Sequence, residues 1–186
     1  MMVAVDDFDA VLSAAQRGDD WAVSVLYKDV RPRLARFLEV REPRAAEDIE
    51  SEVWLAVAQG LVRFSGGEEQ FRAWVFSIAR RRLADFRRTA IRRATFPVPV
   101  EDLDRPDGAG PEAIVLEDLS AEAAAEFVIA TLPPDQAEVV LLRVLGGLGV
   151  TEVAEILGKR PGTVRVLQHR ALRRLHAALV QAGVTR

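Results

Sequence analysis

The chain has 186 residues, of which 49% are hydrophobic and 6% aromatic, and its 25 lysines and arginines nearly balance its 28 aspartates and glutamates. It contains no cysteine, which excludes disulfides and thiolate metal sites, and no apolar run is long enough to cross a membrane. Because the N-terminus also lacks the basic and then apolar pattern of a secretory signal, we expect a cytoplasmic protein without membrane insertion.

The charges are segregated along the chain. Between Arg72 and Arg93 the charged residues are all arginine apart from Asp85, whereas between Glu101 and Glu126 they are nearly all acidic. The net charge of -3 does not by itself indicate a nucleic-acid partner. Blocks of one sign indicate separate roles, so the distribution of charge is more informative than its sum.

Apolar residues at helical spacing predict three helices in the first third of the chain. Those of the first helix, which ends at Gly18, are Phe8, Val11, Leu12 and Ala15. Those of the second helix, in which Pro32 is expected to introduce a kink, are Trp21, Val25, Leu26, Val30, Leu34, Phe37 and Leu38. The third helix runs from Ala45 to about Leu61 and has acidic first turns. These acids favour the helix dipole and solubility, so they do not by themselves indicate a binding surface.

A fourth helix, from about Glu68 to Arg93, is the most distinctive segment of the N-terminal half. Its predicted buried stripe consists of Phe71, Val75, Ile78, Ala79 and Phe86, with Trp74 beside it. Its other sides carry Arg72, Arg80, Arg81, Arg87, Arg88 and Arg92. Fixed positive charge along one helix suits phosphate binding, although a solvated basic face is the plain alternative.

Residues 95–120 differ in composition from the segments on either side. Phe96-Pro97-Val98-Pro99 is expected to be extended, because proline disfavours helix in the residue before it, and acids, prolines and glycines follow. We interpret this segment as a flexible acidic linker between an N-terminal domain of residues 5–94 and a C-terminal domain of residues 121–182. An alanine-rich helix near Leu119 to Ile129 is expected to open the second domain.

The stretch from Leu132 to Leu175 predicts three short helices, the last two joined by a tight turn. The first opens at Pro133 and Pro134, ends at Gly146 and Gly147, and carries an apolar face of Val139, Leu142, Val144 and Leu145. The second follows Gly149, ends at Gly158, and buries Val153, Ala154, Ile156 and Leu157. Pro161 starts the third helix, whose apolar residues are Val164, Leu167, Ala171, Leu172, Leu175 and Leu179. This order predicts a helix-turn-helix.

The third of these helices has two contrasting sides. Helical periodicity places Val164, Leu167, Ala171 and Leu175 on the inner side, and Gly162, Val166, His169 and Arg173 on the outer side. Arg165 and Arg170 flank the outer row. A helix with this exposed basic face can enter a DNA major groove, where arginine recognises guanine edges. A solvated basic helix on a helical hairpin is the alternative.

Three blocks of sequence occur in the order and at the separations that characterise one family. The first is Ala46-Glu47-Asp48-Ile49-Glu50-Ser51-Glu52-Val53-Trp54, and the second is Phe71-Arg72-Ala73-Trp74-Val75-Phe76-Ser77-Ile78-Ala79-Arg80 with Asp85 and Arg88. The third runs from Leu132-Pro133 through Val153-Ala154-Glu155-Ile156-Leu157-Gly158, Gly162-Thr163-Val164-Arg165 and His169-Arg170-Ala171. From about Asp9 to Leu179 the chain resembles the extracytoplasmic-function (ECF) sigma factors of bacterial RNA polymerase, within the sigma-70 family.

The resemblance implies an all-α protein that is not an enzyme and needs no cofactor or metal. Such factors bind core RNA polymerase, direct it to promoters through the −10 and −35 elements, and assist opening of the duplex. The implied partners are the β′ clamp and β flap of the polymerase, promoter DNA, and an anti-sigma factor. By the same resemblance, the acidic linker would occupy the RNA path of the polymerase.

The resemblance also implies three sets of site residues. Those for polymerase binding are Glu47, Asp48, Glu52, Val53 and Trp54. Those for the −10 element are Arg63, Phe64, Ser65, Gly66, Gly67, Gln70, Arg80, Arg87 and Arg88. In this family the loop that corresponds to Arg63 to Gln70 captures a flipped non-template base. Those for the −35 element are Lys159, Arg160, Gly162, Thr163, Arg165, Val166, His169, Arg170 and Arg173.

The sequence departs from the family pattern in the C-terminal half. Gly149 and Arg160 stand where family members often have a serine cap. Leu167-Gln168 reverses the common polar-then-apolar order, so the sequence defines which residues face the DNA only to within about one position. A helix-turn-helix repressor or activator with an N-terminal sensor or dimerisation domain is the rival interpretation. No catalytic grouping indicates an enzyme, and the two histidines lack the neighbours of a metal site.

Overall fold

The computed structural model describes residues 7–95 and 121–181, and within these ranges the chain forms helices and no strand. The N-terminal half contains α1 (Phe8–Gln16), α2 (Asp20–Arg41), α3 (Ala46–Gly60), a 3-10 turn (Leu61–Arg63) and α4 (Glu68–Thr95). The C-terminal half contains α5 (Ala121–Thr131), α6 (Pro134–Val144), α7 (Val150–Leu157) and α8 (Pro161–Gln181). The all-α prediction is confirmed, and each predicted helix is present. Of the predicted linker, all but Thr95 lies outside the described residues.

Local chemistry explains where several helices begin and end. Asp7 caps α1, because its Oδ1 accepts a hydrogen bond from the Ala10 N–H at 3.0 Å. Pro134 and Pro161 occupy the first positions of α6 and α8, where a helix needs no N–H donor. Gly158 ends α7 with φ 61° and ψ 34°, the left-handed conformation that glycine adopts without steric cost.

The N-terminal half is a bundle in which α1, α2, α3 and α4 pack in chain order. Its fully buried side chains include Leu34, Phe37 and Leu38 of α2, and the Phe37 ring meets Phe76 of α4 edge-on with centroids 5.4 Å apart. Pro32 lies within α2 on its exposed side, and the helix continues to Arg41. Continuity of the helix does not show whether its axis bends at Pro32, so the kink stays a prediction.

Two aromatic residues that we expected in the core are exposed. Trp21, in the first turn of α2, is 55% exposed, and Phe86 of α4 is 40% exposed. Residues 85–92 of α4 are all exposed, so the helix extends beyond the bundle and Phe86 is only partly covered. Phe76 and Leu83 are buried on α4 instead.

The two halves share one continuous core rather than standing apart. The main cluster of buried residues runs from the N-terminal bundle into Leu142, Leu148 and Val153, with α4 packed on α7 and α2 on α5. Gly146, which follows α6, lies against the ring of Phe76, because a Cβ at Gly146 would be 3.3 Å from that ring. The backbone of Gly146, which carries no side chain, therefore makes this close contact between the halves.

A second, smaller cluster holds the C-terminal helices to one another. It consists of Leu132, Ala137, Val140 and Ala171. Two residues that we expected on apolar faces are exposed: Val144 at the end of α6 by 70% and Leu172 of α8 by 54%. Both lie on sides of their helices that the other described helices leave exposed. None of the described helices combines the length and hydrophobicity needed to cross a membrane.

Candidate nucleic-acid interfaces

The predicted helix-turn-helix is formed by α7, the turn after Gly158, and α8. The Lys159 N–H donates to the carbonyl of Ala154 at 2.9 Å, and the carbonyl of Arg160 accepts from the N–H groups of Thr163 and Val164, which starts α8. Backbone groups therefore close the turn at Arg160, where family members often have a serine cap.

The outer face of α8 is as predicted from periodicity. Val164 and Ala171 are fully buried, and Leu167 packs against the core. The exposed residues include Gly162, Thr163, Arg165, Val166, His169, Arg170 and Arg173. Leu167 and Gln168 are both half-buried, so the unusual order of these two residues leaves the outer row in place.

Lys159 and Arg160 differ in how they are held. The Lys159 ammonium is 3.2 Å from Asp135 Oδ2 on α6, whereas Arg160 is exposed at the entrance to α8. The ion pair fixes the turn against α6, and it holds Lys159 beside the N-terminus of α8, which attracts anions.

Most arginines of α4 form ion pairs with carboxylates of the same chain. Arg80 Nε donates to Glu138 on α6 at 2.9 Å, and Arg88 is 3.4 Å from Asp85. Arg87 donates to Glu42 and to the carbonyl of Arg41, which lie at the end of α2. Exposed ion pairs of this kind contribute about 0–1 kcal/mol, so a phosphate could replace the carboxylate at little cost.

A cleft of about 470 Å³ lies beside the contact between α4 and α7 and is lined by both helices. From α4 it is lined by Gln70, Trp74, Ser77, Arg80, Arg81 and Arg88, and from α7 by Glu155 and Ile156. Of the residues predicted for the −10 element, the cleft brings together Gln70, Arg80 and Arg88. Arg87 pairs with the end of α2 instead and does not line the cleft.

The loop between the 3-10 turn and α4 is built from aromatic and glycine residues. The Phe64 ring stacks on Trp74, with centroids 5.0 Å apart and an angle of 28°, and meets Phe71 edge-on at 5.5 Å. Gly66 has φ 146°, a conformation that favours glycine. The Gly67 N–H donates to Gln70 Oε1 at 3.0 Å, which closes the loop onto α4. Arg63 and Ser65 are exposed.

A contact that the sequence did not suggest anchors the start of this loop. Gln16, at the end of α1, donates from its side-chain amide to the carbonyls of Leu61 at 3.0 Å and Phe64 at 2.8 Å. The partners are separated by 45 and 48 residues in the chain, so no local pattern could have indicated the pair.

The acidic helix α3 presents part of the predicted polymerase-binding set. Glu47, Asp48 and Glu52 are exposed, whereas Val53 is fully buried and lies on the inner stripe of the helix. Val53 therefore supports this surface from the core and is not on it. Trp54 is half-buried.

Glu50 organises the side chains next to that surface. Its Oε1 accepts from Trp54 Nε1 at 3.2 Å and from Arg31 Nε at 2.9 Å, and its charge raises the pKa of the Arg31 guanidinium. Glu50 is itself buried, so these two donors satisfy a carboxylate that has little access to water. The described residues contain no group of three or more histidines or acids that could hold a metal ion.

Comparison with known proteins gives consistent results for both halves. Residues 26–93 match the family model for sigma-70 region 2, and residues 122–175 match that for sigma-70 region 4. The chain is 39% identical over 183 residues to the ECF RNA polymerase sigma factor ShbA of Streptomyces griseus, a match that covers 92% of this chain and 95% of that protein. It is 33% identical over 189 residues to the ECF RNA polymerase sigma factor SigD of Mycobacterium tuberculosis, covering 98% and 89% of the two chains.

Two solved structures have the same fold. The sigma factor RpoE of Bartonella quintana, in complex with the anti-sigma factor NepR, has a TM-score of 0.63 at 22% identity and covers 82% of this chain and 93% of its own. CnrH, in complex with the cytosolic domain of CnrY, has a TM-score of 0.64 at 19% identity and covers 94% and 97%.

Proposed function

This chain belongs to the extracytoplasmic-function family of RNA polymerase sigma factors, and on that premise we propose which of its surfaces bind the polymerase and which bind DNA. As a sigma factor it directs RNA polymerase to promoters. Regions 2 and 4 in one chain disfavour a repressor or activator with an N-terminal sensor domain. We assign it a binding role in the cytoplasm, with no catalytic residue and no cofactor.

The exposed acids of α3 form the proposed surface for the β′ clamp. Glu47, Asp48 and Glu52 lie in the first two turns of the helix and are accessible to a partner. The hydrogen bonds of Glu50 to Trp54 and Arg31 hold the adjoining side chains in one arrangement. A surface that is already ordered loses less conformational entropy on binding, which supports this assignment. The β flap is proposed as a further polymerase contact.

The loop of residues 64–67 and the cleft beside α4 form the proposed −10 site. Trp74 and Phe64 provide aromatic surface next to Arg80 and Arg88, the combination that binds single-stranded DNA through stacking and phosphate contacts. In this assignment the loop selects an unpaired base, whereas the arginines bind the backbone on either side of it.

The outer face of α8 forms the proposed −35 site. Arg165 and His169 lie one helical turn apart and are both exposed, so both can reach base edges in the major groove. Lys159 and Arg173 are proposed to bind the phosphate backbone. Arg160 at the start of the helix adds a further cationic group.

The proposal depends above all on one observation. The chain has two basic helices, one in each half, and each is associated with a structural feature suited to DNA binding. The helix α4 borders a closed loop and a cleft, and α8 is the second helix of a helix-turn-helix. A solvated basic face would require neither feature. Transcription in vitro by purified core polymerase with the full-length chain, over a library of promoters, tests the proposal. Without promoter-specific initiation, the assignment of both DNA sites fails.

A double substitution tests the polymerase surface separately. Asp48→Lys with Glu52→Lys is expected to weaken binding of the full-length chain to core polymerase and to leave its thermal unfolding nearly unchanged, because exposed charges contribute little to stability. The matched control is Glu39→Lys with Glu126→Lys, which makes the same charge change at exposed acids of α2 and α5. Equal affinities for the two variants in a fluorescence titration would place the polymerase surface elsewhere.

An anti-sigma factor is proposed as a third partner. The solved structures of RpoE and CnrH hold those proteins in complexes, the first with an anti-sigma factor. Co-purification of the tagged full-length chain from its native cells would identify such a partner by mass spectrometry.

A further inference from the structure

We propose that Gln16, the last residue of α1, is a positioning residue for the loop that selects the unpaired −10 base. The inference rests on the proposed function of that loop. The family match for sigma region 2 begins at residue 26, so α1 lies before the matched segment. The proposal therefore assigns a role in promoter recognition to a helix outside the part of the chain that carries the resemblance to region 2.

The geometry is that of a two-pronged clamp on the backbone. A glutamine side chain has two N–H donors on one nitrogen, and Gln16 Nε2 donates to the carbonyls of Leu61 at 3.0 Å and Phe64 at 2.8 Å. These carbonyls belong to the first residue of the 3-10 turn and the residue after its end. Gln16 thus spans the turn and fixes the point at which the loop leaves it.

Because Gln16 fixes the backbone at Phe64, the orientation of Phe64 also restricts the rest of the loop. Phe64 has an extended backbone (φ −70°, ψ 138°), and its ring stacks on Trp74 in α4. A Cβ at Gly66 would be 3.3 Å from the tip of the Phe64 ring, so Gly66 follows the position of that ring closely. Gln70 closes the other end of the loop by accepting from the Gly67 N–H. Ser65 and Gly66, between the two clamps, are exposed to a ligand.

The attachment of α1 to the bundle does not require Gln16. The inner face of α1 consists of Val11, Leu12, Ala14 and Ala15, all of which are buried. The Gln16 side chain, by contrast, is only half-buried and extends from the end of the helix to the loop. Its removal should therefore leave the fold in place and release the loop, which would then lose the fixed shape needed to discriminate between bases.

The chemistry of the contact makes a sharp substitution available. Glutamate has the shape of glutamine, but its carboxylate has no N–H to donate and would face two carbonyl oxygens. Gln16→Glu should therefore disrupt the loop more than Gln16→Met, which has similar length and only removes the donors. Gln59, an exposed glutamine on α3, provides the matched control through Gln59→Glu and Gln59→Met.

The experiment uses the full-length chain bound to core polymerase. Binding is measured to fork-junction DNA that carries each of the four bases at every position of the −10 segment, with 2-aminopurine fluorescence to report base unstacking. We expect wild type and both Gln59 variants to prefer one base at a position contacted by the loop. Gln16→Met should reduce that preference several-fold, and Gln16→Glu more strongly. Affinity for duplex −35 DNA and the thermal midpoint should stay near wild type.

The outcomes separate this inference from the proposed function. If wild type shows no base preference in the −10 segment, the proposed role of the loop is wrong. If wild type discriminates and the Gln16 variants discriminate equally well, the loop assignment stands and the role of Gln16 is wrong. If Gln16→Met and Gln16→Glu lose −35 affinity and thermal stability along with base preference, Gln16 is a general structural residue, which also overturns the positioning role.

Discussion

The two basic helices of this protein, α4 and α8, differ in whether their arginines form ion pairs within the chain. On α4 most of the arginines form ion pairs with carboxylates of the same chain: Arg72 pairs with Asp29 and Glu68, Arg80 with Glu138, Arg87 with Glu42, and Arg88 with Asp85. On α8, within the described residues, Arg165, Arg170 and Arg173 form no ion pair. Both helices are basic by composition, but within the described residues most α4 arginines have an acidic partner, Arg81 being an exception, whereas these three arginines of α8 have none.

The difference follows from where the helices lie. The helix α4 packs on α2, α3 and α7, and its acidic neighbours come from both halves of the chain, whereas the outer row of α8 is exposed. Arginines that are held in fixed positions suit contacts with a regular phosphate backbone. Arginines that extend into solvent can adapt to base edges. We therefore expect α4 to provide general affinity and α8 to provide sequence discrimination.

The largest expected effect concerns the packing that brings α4 and the C-terminal half together. In Gly146→Val, the new Cβ would lie 2.5 Å from the Leu142 carbonyl and 3.3 Å from the Phe76 ring. We expect a loss of about 3 kcal/mol in the free energy of unfolding, typical of strong overpacking. Urea unfolding followed by circular dichroism measures it. Gly162→Ala is the control, since a Cβ there meets open space. An unfolding free energy near wild type for Gly146→Val would show that the halves are not packed closely at this point.

The next effect tests discrimination by α8. Arg165→Ala is expected to cost about 1–3 kcal/mol on the cognate −35 duplex and much less on a duplex changed at the contacted base pair. Fluorescence anisotropy with the full-length chain at fixed salt gives both affinities. Arg174→Ala, on the opposite flank of α8 and also exposed, is the control. Equal losses on the two duplexes for Arg165→Ala would make Arg165 a phosphate contact and remove the proposed contrast between the helices.

A smaller and less selective effect is expected on α4. Arg88→Ala should weaken fork-junction DNA binding by about 1 kcal/mol, the net value of an ordinary hydrogen bond, and by similar amounts on all −10 sequences. The slope of log affinity against log salt should fall by about one, because one phosphate contact is lost. Titrations at several salt concentrations measure both quantities. A change in base preference with an unchanged salt slope would reverse the roles that we assign to the arginines and the loop.

The smallest effect has the opposite sign. Arg80 cannot donate fully to both Glu138 and a phosphate, so Glu138→Gln should raise the affinity of the free chain for fork-junction DNA by about 0.5 kcal/mol, within the range of an exposed ion pair. Glu126→Gln, an exposed acid of the same half, is the control. An unchanged affinity for Glu138→Gln, with Arg80→Ala still weakening binding, would mean that the ion pair does not compete with DNA.

Glu138→Gln is also expected to change the thermal stability of the protein, through the neighbouring Arg41. Burial lowers the pKa of the Arg41 guanidinium, whose Nε has no hydrogen-bond partner among the described residues, and the Glu138 carboxylate 4.0 Å away opposes that shift. Glu138→Gln should therefore lower the thermal midpoint slightly while it raises DNA affinity. Thermal unfolding of the same variant, with and without fork-junction DNA, checks both signs.

The helices and the helix-turn-helix could be predicted from the sequence because the interactions that define them are local. Pro161 and Gly158 act on the residues next to them, and the spacing of Val164 and Ala171 repeats within one helix. The resemblance to ECF sigma factors, which the comparisons confirm, likewise rests on short runs of residues. The assignments of individual residues to polymerase or DNA stay predictions.

Only the tertiary structure decided which predicted residues are buried and which charges are paired. Phe86 is exposed because α4 extends beyond the bundle, and Val53 is buried because it lies on the side of α3 that faces the core. The pairing of Arg80 with Glu138 and the hydrogen bonds from Gln16 to the loop join residues 58 and 45–48 positions apart. The sequence by itself determined the helices and their periodic faces, since these depend on neighbours within a turn or two. Contacts at longer range depend on how the helices pack, and no local pattern contains that information.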